Sequence, residues 1–134
     1  MILFLVGVIV FGILILTLIG WIGKRRPNGL KQDYFQKKWM VLLTQVKTPE
    51  GMVLAVIDAD KLLDEALKRR HFKGGTTGER LVAAQRSLSD NDAVWYAHKL
   101  RNRLVHEPNV KLKKREAQTA LAGYRQCLKD LGAL

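Results

Sequence analysis

The chain has 134 residues, with 23 Lys and Arg against 12 Asp and Glu, a formal net charge of +11 and one cysteine. The lone Cys127 excludes an internal disulfide and has no metal-ligand spacing around it, which suits a reducing cytoplasm. The excess of positive charge draws such a chain towards nucleic acid or an anionic leaflet, although a lysine-rich surface also serves solubility.

Residues 2–23 contain no charged side chain, and Lys24, Arg25 and Arg26 follow at once. A membrane-spanning helix needs roughly 20 apolar residues at ~1.5 Å each, so this segment is predicted to cross a membrane with Trp21 at the interface. Only the amino terminus is basic before it, so the positive-inside rule puts the remainder in the cytoplasm. A cleavable signal peptide would carry its charge ahead of the apolar run and a small-x-small site behind it. Here the order is reversed, and Gly20-Trp21-Ile22-Gly23 makes a poor site. The expectation is an uncleaved, single-pass anchor over residues 1–23 in the cytoplasmic (inner) membrane. Gly7, Gly12 and Gly20 do not have the GxxxG spacing of a dimerising span.

All the side-chain charge therefore lies in residues 24–134, about 110 residues that can bury one core. Their apolar periodicity is helical throughout, with no sustained alternation of the strand type. The predicted fold is all-α: a transmembrane helix followed by a small helical bundle, divided into a juxtamembrane linker and amphipathic helix (24–48) and a helical domain (49–134).

Pro27-Asn28-Gly29 breaks the chain, after which Phe35, Trp39, Leu42, Leu43 and Val46 recur at helical spacing up to about Thr48. Thr48 then caps a long helix with Pro49 at its first position. Val53, Val56, Ala59, Leu63, Ala66 and Leu67 mark its buried stripe. Lys68-Arg69-Arg70-His71 complement its C-terminal dipole, and Gly74-Gly75 are expected to stop it. Thr76 with Glu79 offers a capping box for a short helix through about Leu88. Ser89-Asp90-Asn91-Asp92 opens the next helix, which runs to about His106 because Pro108 disfavours helical geometry at Glu107. A last helix from roughly Lys113 to Leu131 is predicted to bury Ala117, Leu121, Tyr124 and Leu128, ending near Gly132.

The helix ending in Lys99-Leu100-Arg101-Asn102-Arg103-Leu104-Val105-His106-Glu107-Pro108 carries the chemistry. At ~100° per residue, Ala93, Ala97, Leu100 and Leu104 share one side, and His98, Asn102 and His106 fall opposite, so the polar stripe is expected to face outwards. A histidine with a pKa near neutrality can remove the proton of an RNA 2′-hydroxyl or protonate a departing 5′-oxygen. Arginine supplies a positive fork for the charge building on the phosphorane, and Asn102 can orient either by hydrogen bonding. Asp64 or Glu65 is a candidate to hold Arg101. Lys111, Lys113, Lys114 and Arg115 form the densest basic run, read as a solvated turn or, with Arg103, as a phosphate-contacting surface. The acidic positions Asp58, Asp60, Asp64 and Glu65 have no neighbouring histidine or cysteine and are read as ion-pair partners of Lys61 and Lys68 rather than metal ligands. No cofactor is called for.

Arg101-Asn102-Arg103-Leu104-Val105-His106 resembles the Arg-x(4-6)-His motif of the HEPN superfamily, including the polar residue after the arginine. The likeness extends over roughly residues 51–134: the long helix bearing Asp58 to Glu65, the motif helix, and a closing helix with Ala117, Leu121 and Tyr124. It implies a homodimer with the motif helices facing each other. The activity it implies is metal-independent endoribonuclease cleavage that leaves a 2′,3′-cyclic phosphate and a 5′-hydroxyl. Arg101 would then be the transition-state cation, His106 the acid or base and Asn102 the orienting residue, while His98 lies outside the motif. Two function classes stand. One is a membrane-anchored ribonuclease acting as a toxin or defence effector, with RNA as substrate and an antitoxin or other protein as partner. The other is a non-catalytic anchored module that binds a nucleotide, RNA or protein.

Overall fold

The computed structural model describes residues 1–24 and 29–134. Arg25 to Asn28, and with them most of the expected break and two of the juxtamembrane cations, lie outside this description, as does the side chain of Trp21. Every regular element among the described residues is helical: α1 (Ile2–Lys24), α2 (Gln32–Thr44), α3 (Pro49–Arg69), α4 (Thr77–Ala84), α5 (Asn91–His106) and α6 (Lys114–Asp130). Short 3-10 turns at Gln45–Lys47 and Gln85–Ser87 close α2 and α4.

The first helix stands apart from the others in character. Its apolar window, Ile2–Gly20, is 0% buried and long enough to cross a membrane. Its described residues contribute nothing to the core, which is built from α2 to α6, their connections and the tail. Phe35, Trp39 and Leu42 of α2 are buried in that same core with Ala55, Val56, Ala59 and Leu63 of α3, so the amphipathic helix and residues 49–134 share one interior.

The ends of the helices follow local chemistry. Thr48 Oγ1 accepts the Gly51 amide at 3.0 Å, and Thr76 Oγ1 accepts that of Glu79 at 3.2 Å, each satisfying an orphan donor of the first turn. Helix α3 stops earlier than Gly74-Gly75. His71 takes φ of 60° and, with Phe72 N–H bonded to the Leu67 carbonyl, closes a Schellman motif on a residue other than glycine. Helix α6 ends the same way on Gly132, φ 79°, with Ala133 N–H on the Leu128 carbonyl.

Helix α5 packs against both α3 and α6, which also pack on each other, and α6 approaches it closely at Gly123, where an added Cβ would stand 2.5 Å from the Ala93 carbonyl oxygen. Two neighbours make the buried face of α5 wider than its apolar stripe. Val94, Ala97, His98 and Leu100 are buried, while Leu104 is only half-buried. Arg101 stands seven positions after Val94 and thus within roughly 20° of it, near the middle of the covered face. The outward polar stripe expected from the sequence is corrected accordingly: His98 is inside, Asn102 is at the boundary and His106 alone is exposed.

Candidate active site

Asp60 is the centre of the site. It lies in the apolar stripe of α3, four positions after Val56 and seven before Leu67, and is 3% exposed. A carboxylate there is costly unless it is paired and hydrogen-bonded. Two other helices answer it. Its Oδ1 lies 2.7 Å from His98 Nδ1 of α5 and accepts from Tyr124 Oη of α6 at 2.9 Å. Its Oδ2 stands 3.5 Å from Arg101 Nε, a charge contact without hydrogen-bond geometry, which leaves that Nε–H buried and unbonded. Burial and the neighbouring Asp60 charge push the Tyr124 hydroxyl far above the usual phenol range, so it remains a donor.

The cluster closes into a ring. Arg101 Nη1 donates to Asn102 Oδ1 at 3.0 Å, and Asn102 Nδ2 faces His98 Nε2 at 3.4 Å. An ionised carboxylate only accepts, so the His98 proton sits on Nδ1 and Nε2 is left as an acceptor for the amide. Arg101 is thereby aimed by Asp60 on one side and by Asn102 on the other. One of its five N–H groups is hydrogen-bonded among the described residues, and its side chain is 25% exposed, so donors remain for an incoming anion.

The structure brings together Arg101 and Asn102 of the expected residues. Asn102 bridges Arg101 to His98 rather than to His106. His106, the last residue of α5, is exposed, and its side chain makes no hydrogen bond or ion pair with another described residue. It lies about 7.5 Å further along the axis than Arg101. Arg103 is exposed and 3.8 Å from Glu107. Lys111, Lys113, Lys114 and Arg115 are exposed in the α5–α6 connection and the first turn of α6. Val110 and Leu112 there sit beside Pro49 and Val53, so the basic run and His106 share the end of the bundle where α3 begins.

The acidic residues expected to hold Arg101 are engaged elsewhere. Asp64 pairs with Arg80 Nε at 2.8 Å and with Lys68 at 3.0 Å. Burial raises the Asp64 carboxyl, but hydrogen bonds from Arg80, Lys68 and Thr77 outweigh it and hold the group below the usual carboxylate range. Glu65 binds Arg69 at 2.6 Å and the Tyr34 hydroxyl at 2.9 Å. Asp60, His98 and Tyr124 are the members that the sequence reading missed. The signal was an aspartate inside an apolar stripe, facing a histidine three positions before the motif arginine. Among the described residues no three His, Cys, Asp or Glu side chains gather as a metal site. Burial pushes the Cys127 thiol up to about 12, leaving it without thiolate character at neutral pH. No family model, curated protein or solved structure matches the chain.

Proposed function

We propose that this is a membrane-anchored, HEPN-type, metal-independent endoribonuclease, with α1 as a single-pass anchor in the cytoplasmic membrane and the bundle in the cytoplasm. The observation that carries the reading is Arg101, fixed by Asp60 and Asn102 on the helix that ends at His106. A preorganised guanidinium stabilises phosphorane charge without reorganising during reaction, and an exposed histidine at the helix end has access to a 2′-hydroxyl or a 5′-oxygen. Lys111, Lys113, Lys114 and Arg115 supply phosphate contacts beside it.

One chain alone leaves His106 without a contact to Arg101, and this favours completion of the site by a second copy. Val105, four positions after Arg101 on the same side of α5, is 46% exposed and gives such a copy an apolar surface to cover. The same separation of His106 from Arg101 supports the second reading, a module that binds a nucleotide, RNA or protein without cleaving.

The test is cleavage of a mixed single-stranded RNA pool by the full chain in detergent and EDTA. The expected products end in 2′,3′-cyclic phosphate and 5′-hydroxyl, and His106→Ala and Arg101→Ala each lower the rate by at least ~100-fold with helix content unchanged. Equal inertness of wild type and variants at high protein concentration would leave the binding module as the reading.

A further inference from the structure

The bundle has two basic ends, and they face different surroundings. At one end lie His106 and the Lys111 to Arg115 run. At the other, the start of α2 meets the end of α3. The Gly29 backbone lies against the last turn of α3, its ideal Cβ position 3.8 Å from the Arg69 carbonyl oxygen. Leu30 is buried, which pins the chain at its point of entry into the bundle. Cations of both helices collect around one ring there: the Arg69 guanidinium stands 4.6 Å from the Tyr34 centroid and Lys38 Nζ 5.5 Å from it. Lys31 and Lys37 are exposed beside Tyr34, and Lys73 is exposed four positions after the end of α3. Residues 24–38 hold six cations against the single carboxylate of Asp33.

We propose that this end of the bundle, carried by Lys31, Lys37, Lys38 and Lys73, with Arg69 already paired to Glu65, is a docking face for anionic phospholipid headgroups. The proposal rests on α1 being a membrane anchor. Two distances select the lipid surface as the occupant. Five residues, six Cα steps, separate Gly23 from Gly29, so the entry point lies within ~20 Å of the end of the apolar segment even when the chain is fully extended. Helix α3 is 21 residues long, about 30 Å, and puts the opposite basic end beyond that reach when the bundle stands upright. The ~20 Å is an upper limit set by the extended chain, so the near face is able to approach to the Debye length of the leaflet, ~8–10 Å, where each Lys or Arg gains from a negative surface potential. Docking would hold the bundle upright, with His106 and the second basic run turned towards the cytoplasm.

The test uses the full chain in vesicles of phosphatidylcholine alone or with phosphatidylglycerol, in a Cys127→Ser background. A dye is placed on Gln36→Cys, at the near end, or on Glu107→Cys, at the far end, with an energy acceptor on labelled headgroups. Transfer from position 36 is expected to rise when phosphatidylglycerol is present. That rise should vanish in high salt and in the triple variant Lys31→Glu, Lys37→Glu, Lys73→Glu, while position 107 shows no rise. Equal transfer from position 36 in both lipids, with the chain resisting alkaline extraction, would overturn the docking face and leave the anchor intact. A chain that alkaline carbonate removes from the vesicles would overturn the anchor reading, and with it the proposal. A rise at position 107 as large as at 36 would show unspecific attraction and overturn the assigned face.

Discussion

At the scale of single residues, the chain places its most costly group where three helices meet. Asp60 is held by two hydrogen bonds and one charge contact, from residues 38, 64 and 41 positions away in sequence. Asp60→Asn keeps an oxygen to accept from Tyr124 but removes the charge opposite Arg101, leaving a largely covered guanidinium uncompensated. A loss of about 3 kcal/mol is expected, read as a lower urea midpoint, with a fall in any RNA cleavage. An unchanged midpoint would show Arg101 to be solvated rather than held. Asp64 gives a pH signature. Its folded-state carboxyl lies below its ordinary value, so its stabilisation is complete above the unfolded pKa near ~4 and is lost as pH falls through the lower, folded value. Asp64→Asn should therefore cost about 2 kcal/mol at neutral pH, the range of a hydrogen bond to a charged group, and move towards wild type in acid. Parallel stability curves down to about pH 2 would assign the effect to hydrogen bonding instead of charge.

At the scale of elements, α5 and α6 meet through small residues, and the site depends on that closeness because Tyr124 follows Gly123 directly. Gly123→Ala drives a methyl to 2.5 Å from the Ala93 carbonyl, a backbone atom that cannot swing aside. The helices must part, at about 2 kcal/mol, and the Tyr124 bond to Asp60 should lengthen. Gly78→Ala is the control: its methyl would meet Trp95 at 3.6 Å and His98 at 3.7 Å, ordinary contact, and urea midpoints should separate the two variants clearly. The same close packing explains what the sequence could and could not tell. Helix starts at Thr48 and Thr76 and the stop before Pro108 were legible because capping and proline sterics act within a few residues. The phase of α5 was not, because its covered face is centred between two partners whose positions no local pattern states. His98 therefore looked exposed on an apolar count alone. Tyr124 was read as core, and it is core, but the reason for a tyrosine there lies on α3.

At the scale of the whole chain, the question is whether α1 belongs to the bundle's fold or only to its place. A core helix of a soluble protein is covered by its neighbours, whereas the Ile2–Gly20 window is 0% buried and its leucines, isoleucines and phenylalanines stand open. Such exposure suits lipid, where side chains and lipid tails are equally apolar. The core among the described residues, by contrast, has no member from α1: it runs from Leu30 to Ala133. Deleting residues 2–23 should therefore release a soluble chain whose urea midpoint matches that of the full protein in detergent, while the full protein stays in membranes through alkaline carbonate. The membrane-bound form should retain residues 2–20 when its peptides are mapped, since a cleaved leader would expose a new terminus near Gly23. A truncated chain that fails to fold would make α1 a structural helix, and with it the positive-inside argument, the cytoplasmic placing of Arg101 and His106 and the reach of the tether would all fall together. A truncated chain that folds and still sediments with anionic vesicles would locate membrane affinity in the basic end of the bundle itself.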